Sequence, residues 1–418
     1  SSCEEQNDMM SAATTCLHLI CLLSIPANLI DAFSIQTTVG VNEPSIQSKS
    51  WNYLGHNIAY EETNCQPSND EKNEPILLLN GFGVGSFHQH RLINCLTNEL
   101  QTLNRQQNIY GIDYLGQGKS WPIDCDDGQS ENERDLSYSI DTWAGQVLSF
   151  IEDVVIPEHG GDGDCKVHLV GNSVGGHLAT ILAASRPDLV RSVCLLNATP
   201  VWGLGLPGWN GRLPAPAVPK QVGRFLFDKI RDFDTIQLYL GQAYSRTEAF
   251  DEDLIQNIRS CTEGKGGHAA FASIVWSSPS TKLQEEGSFS ALVSQLECDA
   301  LLLFGDDDEW CKPAYAKHMM NLLKERPATS KQHPAQRYLA LSNTGHCPNH
   351  EAPQSVAHAV ARWVSSTDGS RDQLAFIDEG KSSQSFHEPW GDIVMREVEG
   401  EELEMLSVSD KVMIKMLA

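Results

Sequence analysis

One serine stands between glycines at the point where an apolar run gives way to a helical pattern. The segment Gly171-Asn172-Ser173-Val174-Gly175 has the spacing G-x-S-x-G and follows the strand-like run 166–170. In this setting the spacing predicts a sharp strand–turn–helix that holds the serine hydroxyl clear of the sheet. Glycine is required because a side chain in so tight a turn would collide with neighbouring backbone. We therefore predict that Ser173 is a nucleophile; the alternative is a glycine-rich turn with an inert serine.

A serine hydroxyl is a weak nucleophile and needs a base that a third group orients. Where this turn carries catalysis, the expected chain order is serine, acid, histidine. His346 lies on the loop after the last predicted strand and meets this order, whereas thirteen other histidines compete on composition alone. We predict His346 as the base. The alternative is a turn histidine that caps backbone groups.

The acid should follow a strand between the serine and the histidine. The run 300–304 leads through Gly305 into the adjacent carboxylates Asp306, Asp307 and Asp308. The usual placement is three residues after the glycine, and this selects Asp308. We expect Asp306 and Asp307 to be solvated turn residues.

The oxyanion formed during acyl transfer must be met by backbone N–H groups. One is expected from Val174, directly after the nucleophile, and the second from Phe82 in the glycine-rich loop 80–85. This loop lacks the Lys-Ser/Thr ending of a phosphate-binding P-loop, and the cysteines lack a repeated C-x-x-C spacing. The sequence therefore predicts no cofactor and no metal.

Short apolar runs alternate with helical patterns along most of the chain. The runs are 76–79, 109–113, 167–170, 192–196, 300–304 and 337–341, and the helical patterns are 89–103, 139–155, 176–184, 314–323 and 353–364. This alternation predicts an α/β fold with a mostly parallel central sheet and helices on both faces. About a hundred residues separate two of the strands, too many for a crossover, and predict an inserted helical cap. The predicted organisation is a leader-like segment and linker (1–50), a first core part (51–200), the cap (201–297), a second core part (298–366) and an acidic C-terminal tail (367–418).

Composition excludes several partners. The 418 residues include 55 acidic and 30 basic side chains, which give a formal charge of −25. Such a balance repels the phosphates of nucleic acids, so we expect no nucleic-acid partner, and it disfavours acidic lipid headgroups for the same reason. The apolar run 16–25 has the length of a signal peptide and is shorter than a membrane span. The oligomeric state stays open.

Several longer strings carry a family resemblance. They are 81–88 (GFGVGSFH), 113–120 (DYLGQGKS), 195–203 (LLNATPVWG), 270–274 (AFASI) and 345–348 (GHCP). From about residue 51 to 365 the chain resembles the α/β-hydrolase superfamily, and within it the pheophytinase-like, chlorophyll-dephytylating esterases. The resemblance implies hydrolysis of the phytyl ester of a tetrapyrrole, chlorophyll a or pheophytin a, through an acyl-enzyme formed by Ser173, His346 and Asp308. It also implies a plastid location and admits a peripheral membrane contact.

The segment that follows the apolar run resembles the two-part leaders of algal plastids; a secretory or endomembrane leader is the alternative. Other functions also stay open on the same scaffold. Small-ester, thioester and C–C bond hydrolases use it, and the last of these also favour an asparagine before the serine, as at Asn172. A non-catalytic receptor or scaffold is a further alternative. The sequence leaves the choice between chlorophyll and pheophytin open.

Overall fold

A ten-stranded sheet forms the centre of the molecule. The computed structural model describes residues 46–63, 74–121, 134–159, 165–264, 266–326, 334–366 and 370–417. The strands are β1 (Ile46–Tyr53), β2 (His56–Thr63), β3 (Ile76–Leu79), β4 (Ile109–Ile112), β5 (Val167–Asn172), β6 (Val190–Leu196), β7 (Asp299–Gly305), β8 (Gln336–Leu341), β9 (Gln384–Glu388) and β10 (Gly391–Glu397). Their order is β1-β2-β4-β3-β5-β6-β7-β8-β10-β9. Strands β3 to β8 pair in parallel, and an antiparallel pair closes each edge. The α/β prediction is confirmed.

Helices cover both faces of this sheet. They are α1 (His90–Thr102), α2 (Ile140–Phe150), α3 (Val174–Ser185), α4 (Ala217–Ile230), α5 (Phe233–Ala243), α6 (Glu252–Ser260), α7 (Gly267–Trp276), α8 (Thr281–Glu286), α9 (Phe289–Ser294), α10 (Pro313–Lys324), α11 (Pro348–Glu351), α12 (Pro353–Ser365), α13 (Glu401–Glu404) and α14 (Val408–Leu417). Consecutive strand residues point to opposite faces. Thus Leu77 and Leu79 join the hydrophobic layer under α2, α3 and α10, while Ile76 and Leu78 join the layer under α1 and α12. Burial on both sides explains why the central strands read as continuous apolar runs.

The interval between β6 and β7 is helical. Helices α4 to α9 occupy it, within the residues predicted to form a cap. The cap reaches the sheet through α5, because the carbonyl of Ala243 at its end accepts a hydrogen bond from His346 N–H at 2.6 Å. One candidate catalytic residue is thus tied directly to the cap.

The segment predicted to be an acidic tail contributes to the sheet. Strand β10 pairs with β8, with Met395 opposite Leu341, and β9 pairs with β10. The side chains of Ile393 and Met395 are buried in the same layer as α12. The description of 367–418 as a tail is thereby corrected: its apolar residues alternate over only a few positions, a weak signal that tertiary pairing completes.

The amino-terminal hairpin has a tighter turn than its sequence indicates. Alternation over residues 51–62 predicts an antiparallel hairpin with its turn at 55–57, whereas β1 and β2 are joined by Leu54 and Gly55, with φ angles of 50° and 85°. Two positive φ angles are typical of the two-residue hairpin turn. Strand β1 begins at Ile46, inside the predicted leader segment. The leader-like segment up to residue 45 and the acidic stretch 124–133, which the sequence predicts to be a loop, lie outside the described residues. In the part of the chain that the structure describes, every helix falls short of the length and apolarity needed to cross a bilayer.

Candidate active site

Ser173 occupies a strained turn between β5 and α3. Its φ of 55° and ψ of −118° lie in a region that non-glycine residues seldom adopt. A Cβ at Gly171 would lie 2.3 Å from the carbonyl oxygen of Gly175, and one at Gly175 would lie 2.2 Å from that of Leu79. Both glycines are therefore needed for the backbone to close. Such strain concentrates at functional sites, and the turn has the form predicted from the sequence.

His346 and Asp308 form a buried pair at the carboxyl ends of β7 and β8. The ring Nδ1 of His346 is 2.8 Å from Asp308 Oδ2, and both residues are at most 4% exposed. Burial lowers the pKa of His346, but the nearby Asp308 carboxylate raises it by a larger amount. The pKa of His346 is therefore well above its usual value. Conversely, burial raises the pKa of Asp308, and attraction to His346 brings it below its usual range. An ionised carboxylate here favours the ring tautomer with a proton on Nδ1.

The carboxylate of Asp308 is held by four donors. Oδ2 accepts from His346 and from Asn197 Nδ2 at 2.6 Å, while Oδ1 accepts from the backbone N–H groups of Trp310 at 2.8 Å and Cys311 at 3.0 Å. Every lone-pair direction is thus used, and the orientation of the carboxylate is fixed.

The two neighbouring aspartates lie elsewhere. Asp306 is half-buried and forms an ion pair with Arg396 of β10 at 3.3 Å. Asp307 is exposed and accepts a hydrogen bond from Ser245 Oγ at 2.7 Å. The structure therefore places Asp308, and neither of the other two, beside the imidazole.

Asn172 joins the serine turn to the histidine loop. Its Nδ2 donates to the carbonyl of His346 at 2.8 Å and to that of Leu196 at 3.2 Å. Among the described residues Ser173 Oγ makes no hydrogen bond, so its pairing with the His346 ring stays a prediction. The Asn172 link nevertheless brings the backbones of both residues to one edge of the sheet.

The loop after β3 lies over the serine turn. A Cβ at Gly81 would be 3.6 Å from Ser173 Cβ, and Gly83 N–H is anchored by Gln117 Oε1 at 2.7 Å. Within the described residues neither the N–H of Phe82 nor that of Val174 donates to a protein acceptor. Two backbone donors from facing segments are therefore free to meet a ligand oxygen.

Sequence reasoning missed two buried polar residues that hold this site. Asn197 follows β6 and bridges the strands: its Oδ1 accepts from Gly305 N–H at 3.1 Å and its Nδ2 donates to Asp308. Glu351 accepts from Gly345 N–H at 2.7 Å and from Arg246 N–H at 2.8 Å, which links the histidine loop to the cap. Burial raises the pKa of Glu351 to about 7. Neither residue belongs to a local motif that marks its contacts.

Aromatic side chains border the site. The ring of Phe82 is 5.1 Å from that of Trp202, and the ring of Trp310 is 5.0 Å from that of His346. Phe82 and Trp310 are 37% and 41% exposed, so both present ring surface to a ligand. By contrast, Trp209 and Trp276 pack on each other in the hydrophobic cluster of the cap.

Three of the competing histidines have other partners. His88 bonds to Tyr244 OH at 2.9 Å, His168 to Ser192 Oγ at 2.8 Å, and His177 to the carbonyl of Thr199 at 3.0 Å. Burial lowers the pKa of His88 to about 3 and that of His177 to about 4. These rings are therefore neutral at pH 7 and are engaged in packing contacts.

One cluster has the elements of a metal site. Asp308, Cys311 and His346 offer ligand atoms within 4.8 Å of one another. However, the carboxylate already accepts four hydrogen bonds, and burial raises the pKa of the Cys311 thiol, so that the thiolate needed for metal binding is disfavoured. The donor set does not argue for a metal, and its absence stays an expectation.

The fold and this geometry define a class of protein. Residues 76–359 match the profile of the alpha/beta hydrolase family, and the chain belongs to that family. Its similar structures include a haloalkane dehalogenase from Bradyrhizobium elkani, with a TM-score of 0.53, 18% identity, and coverage of 77% of this chain and 98% of that one. A bacterial membrane phospholipase A gives 0.51 at 22% identity, covering 75% and 84%. At such identities the likeness concerns the fold.

Among characterised proteins, the chain is similar to the chloroplastic pheophytinase of Arabidopsis thaliana. The two are 29% identical over 350 residues, 73% of this chain and 64% of the relative, which is less than two-thirds of its length. A second relative is the 2-hydroxy-6-oxononadienedioate/2-hydroxy-6-oxononatrienedioate hydrolase of Burkholderia vietnamiensis, 25% identical over 57% of this chain and 72% of that protein. Both are hydrolases, and hydrolysis is the activity that the family and the site support.

Proposed function

We propose that the protein is a serine carboxylic-ester hydrolase that removes phytol from chlorophyll or pheophytin. The observation that carries the proposal is the buried His346–Asp308 pair beside the strained turn of Ser173. Similarity to a pheophytinase supports the choice of ester. The bordering aromatic rings of Phe82, Trp202 and Trp310 suit a large flat ring system, since aromatic faces stack on one another.

In the proposed mechanism Ser173 Oγ attacks the ester carbonyl while His346 Nε2 takes its proton. Asp308 keeps the other ring nitrogen protonated, so that Nε2 is free to accept. The N–H groups of Phe82 and Val174 donate to the oxyanion. His346 then protonates the departing phytol oxygen. Water attacks the acyl-enzyme with the same base and releases a chlorophyllide-type acid.

The experiment incubates the purified protein separately with chlorophyll a, pheophytin a and a short p-nitrophenyl ester. Phytol and the pigment acid are then separated chromatographically. We expect release from a pigment by the wild type, loss in Ser173→Ala, and no change in Ser260→Ala, which alters an exposed serine on α6. A fluorophosphonate probe should label the wild type at Ser173. Hydrolysis of the short ester alone would refute the pigment as substrate, and full activity of Ser173→Ala would refute the mechanism.

Hydrolysis of a C–C bond is a second candidate. Similarity to the Burkholderia dienedioate hydrolase and the asparagine before the serine favour it. The same panel, extended with 2-hydroxy-6-oxononadienedioate, separates the two, because cleavage of this compound bleaches its conjugated chromophore without releasing phytol. Faster turnover of the dienedioate than of either pigment would favour this candidate.

A plastid location is also part of the proposal. Its support is the chloroplastic relative together with the leader-like pattern of residues 1–50. A fluorescent protein fused behind these residues should enter the plastid of an algal host, and export into the endomembrane system would favour the secretory alternative.

A further inference from the structure

Helix α4 of the cap presents apolar side chains to solvent. Val218, Val222 and Phe225 are 70%, 41% and 62% exposed. Their spacing of four and three residues places them in one stripe along the helix. Phe227 lies on the opposite side, buried in the hydrophobic cluster of the cap. The helix is thus apolar on two faces, and only one of them is covered by the rest of the chain.

The covered face is packed too closely for the helix to turn and bury the stripe. A Cβ at Gly223 would lie 2.4 Å from the Cβ of Ala272 on α7. The rings of Phe227 and Phe271 are 5.6 Å apart in the same interface. Rotation would break both contacts and place Phe227 in water. The outward stripe is therefore a fixed feature of the folded cap.

The charge around the stripe is positive, opposite in sign to the net charge of the whole molecule. Residues 217–231 contain four basic side chains and one acidic one, in a chain with a net charge of −25. Arg224 and Lys229 are exposed on the same helix as the stripe. The exposed valines of α14, Val408 and Val412, lie beside Lys411 and Lys415 but in a more acidic setting, since residues 399–410 contain five acidic residues and no basic one. The α4 segment 217–231 thus combines exposed apolar groups with a net charge of +3, from four basic residues and one acidic one, whereas residues 399–415 have a net charge of −3, from two basic and five acidic.

We propose that the outer face of α4 docks the protein on a lipid bilayer, with Val218, Val222 and Phe225 among the acyl chains and Arg224 and Lys229 at the headgroup phosphates. An apolar stripe with flanking cations is typical of helices that lie in a membrane interface. Salt screens the distant carboxylates over about 8 Å, so the nearby cations dominate at contact. The inference rests on the proposed function in one respect: a phytyl ester dissolves in lipid, and docking brings the cap to its source.

The test is sedimentation of the full chain with phosphatidylcholine vesicles, with and without phosphatidylglycerol. We expect the wild type to bind both. The pair Val222→Asp/Phe225→Asp should bind at least about tenfold more weakly to both, because a carboxylate cannot enter the acyl region. The pair Arg224→Glu/Lys229→Glu should lose the gain from phosphatidylglycerol. Val408→Asp, an equally drastic change at the acidic surface, should bind like the wild type.

Circular dichroism and thermal unfolding check the fold of every variant, and exposure of the changed side chains favours retention of the fold. Failure of the wild type to sediment, or wild-type binding by the Val222→Asp/Phe225→Asp pair, would overturn the docking proposal. So would a dimer in gel filtration that this pair dissociates. Hydrolysis of detergent-solubilised pigment reports the proposed function separately: binding without hydrolysis refutes the esterase, and hydrolysis without binding refutes the docking surface.

Discussion

The substitution Asp308→Asn should change the tautomer of His346, because the hydrogen bonds around Asp308 determine how the new amide is oriented. Oδ1 of Asp308 accepts from two backbone N–H groups, so the amide oxygen of the variant must take that position. The amide NH₂ then replaces Oδ2 and faces His346 Nδ1 and Asn197 Nδ2. A donor opposite Nδ1 favours the tautomer with its proton on Nε2. That nitrogen can no longer accept the proton of Ser173.

The expected loss follows from this change of tautomer. Removal of the orienting carboxylate from a serine triad lowers kcat by about 10³- to 10⁴-fold, equivalent to about 4–5.5 kcal/mol of activation free energy. The assay measures kcat with a short p-nitrophenyl ester, after correction for folded protein by circular dichroism. Asp307→Asn is the matched control, since that carboxylate is exposed and bonds only to Ser245 among the described residues. It should retain nearly full activity.

The pH profile supplies an independent reading of the same interaction. His346 must be neutral to act as a base, and Asp308 raises its pKa well above the usual value. Wild-type kcat/KM should therefore fall as the pH drops through this raised pKa. Without the carboxylate, burial alone lowers the pKa, and the residual activity of Asp308→Asn should persist to lower pH. More than a tenth of wild-type kcat in the variant, or an unmoved pH limb, would refute the argument.

Three further predictions concern the support of the site. Glu351→Gln should flatten the pH dependence of stability. The pKa of Glu351 is about 7 in the folded protein and 4.5 in the unfolded chain, so the wild type loses about 3 kcal/mol of stability as the pH rises from 4.5 to 7. Urea unfolding at both pH values measures this difference. Trp202→Ala should raise KM for the pigment about three- to tenfold while KM for the short ester stays within error. Gly175→Ala should abolish folding or activity, since its Cβ would meet the Leu79 carbonyl, as shown by thermal unfolding and kcat.

Two of these predictions have a matched control variant, and the third has a result that would contradict it. Gly241→Ala, on α5 with no atom within 4 Å of the added Cβ, should stabilise the protein by about 0.5–1 kcal/mol. Trp209→Ala removes a tryptophan of the cap cluster and should lower stability without a selective effect on the pigment. Equal slopes of stability against pH in wild type and Glu351→Gln would count against the role of that carboxyl group.

The central strands and the serine turn could be predicted because local sequence determines them. The run 300–304 is continuous and apolar since β7 is buried on both faces, and the structure extends it by one residue at each end, to Asp299–Gly305. Likewise, G-x-S-x-G specifies a turn in which a Cβ added at either glycine would lie within 2.3 Å of a backbone atom. In both cases the type of each residue indicates directly whether its position is buried or closely packed.

Features that depend on distant partners could not be predicted. Strand β10 owes its place to pairing with β8, more than fifty residues away, and its polar and apolar residues alternate too briefly to signal this. Asn197 and Glu351 act through donors on other segments, and an asparagine or a glutamate has no local signature for such contacts. Which of three adjacent aspartates bonds to His346 is likewise a tertiary result that a spacing rule only anticipates.

The hairpin of β9 and β10 bears on how the chain tolerates shortening. The family match ends at residue 359, yet the sheet continues to Glu397. A chain cut after α12 would leave β8 as an edge strand with unpaired N–H and C=O groups and would uncover the apolar layer beneath the hairpin. Such an edge strand is a template to which a strand of another molecule can add. Such a truncated enzyme would carry all the proposed catalytic residues and still be prone to aggregation. The carboxyl-terminal hairpin thus protects the sheet edge from self-association, although it contributes none of the proposed catalytic residues.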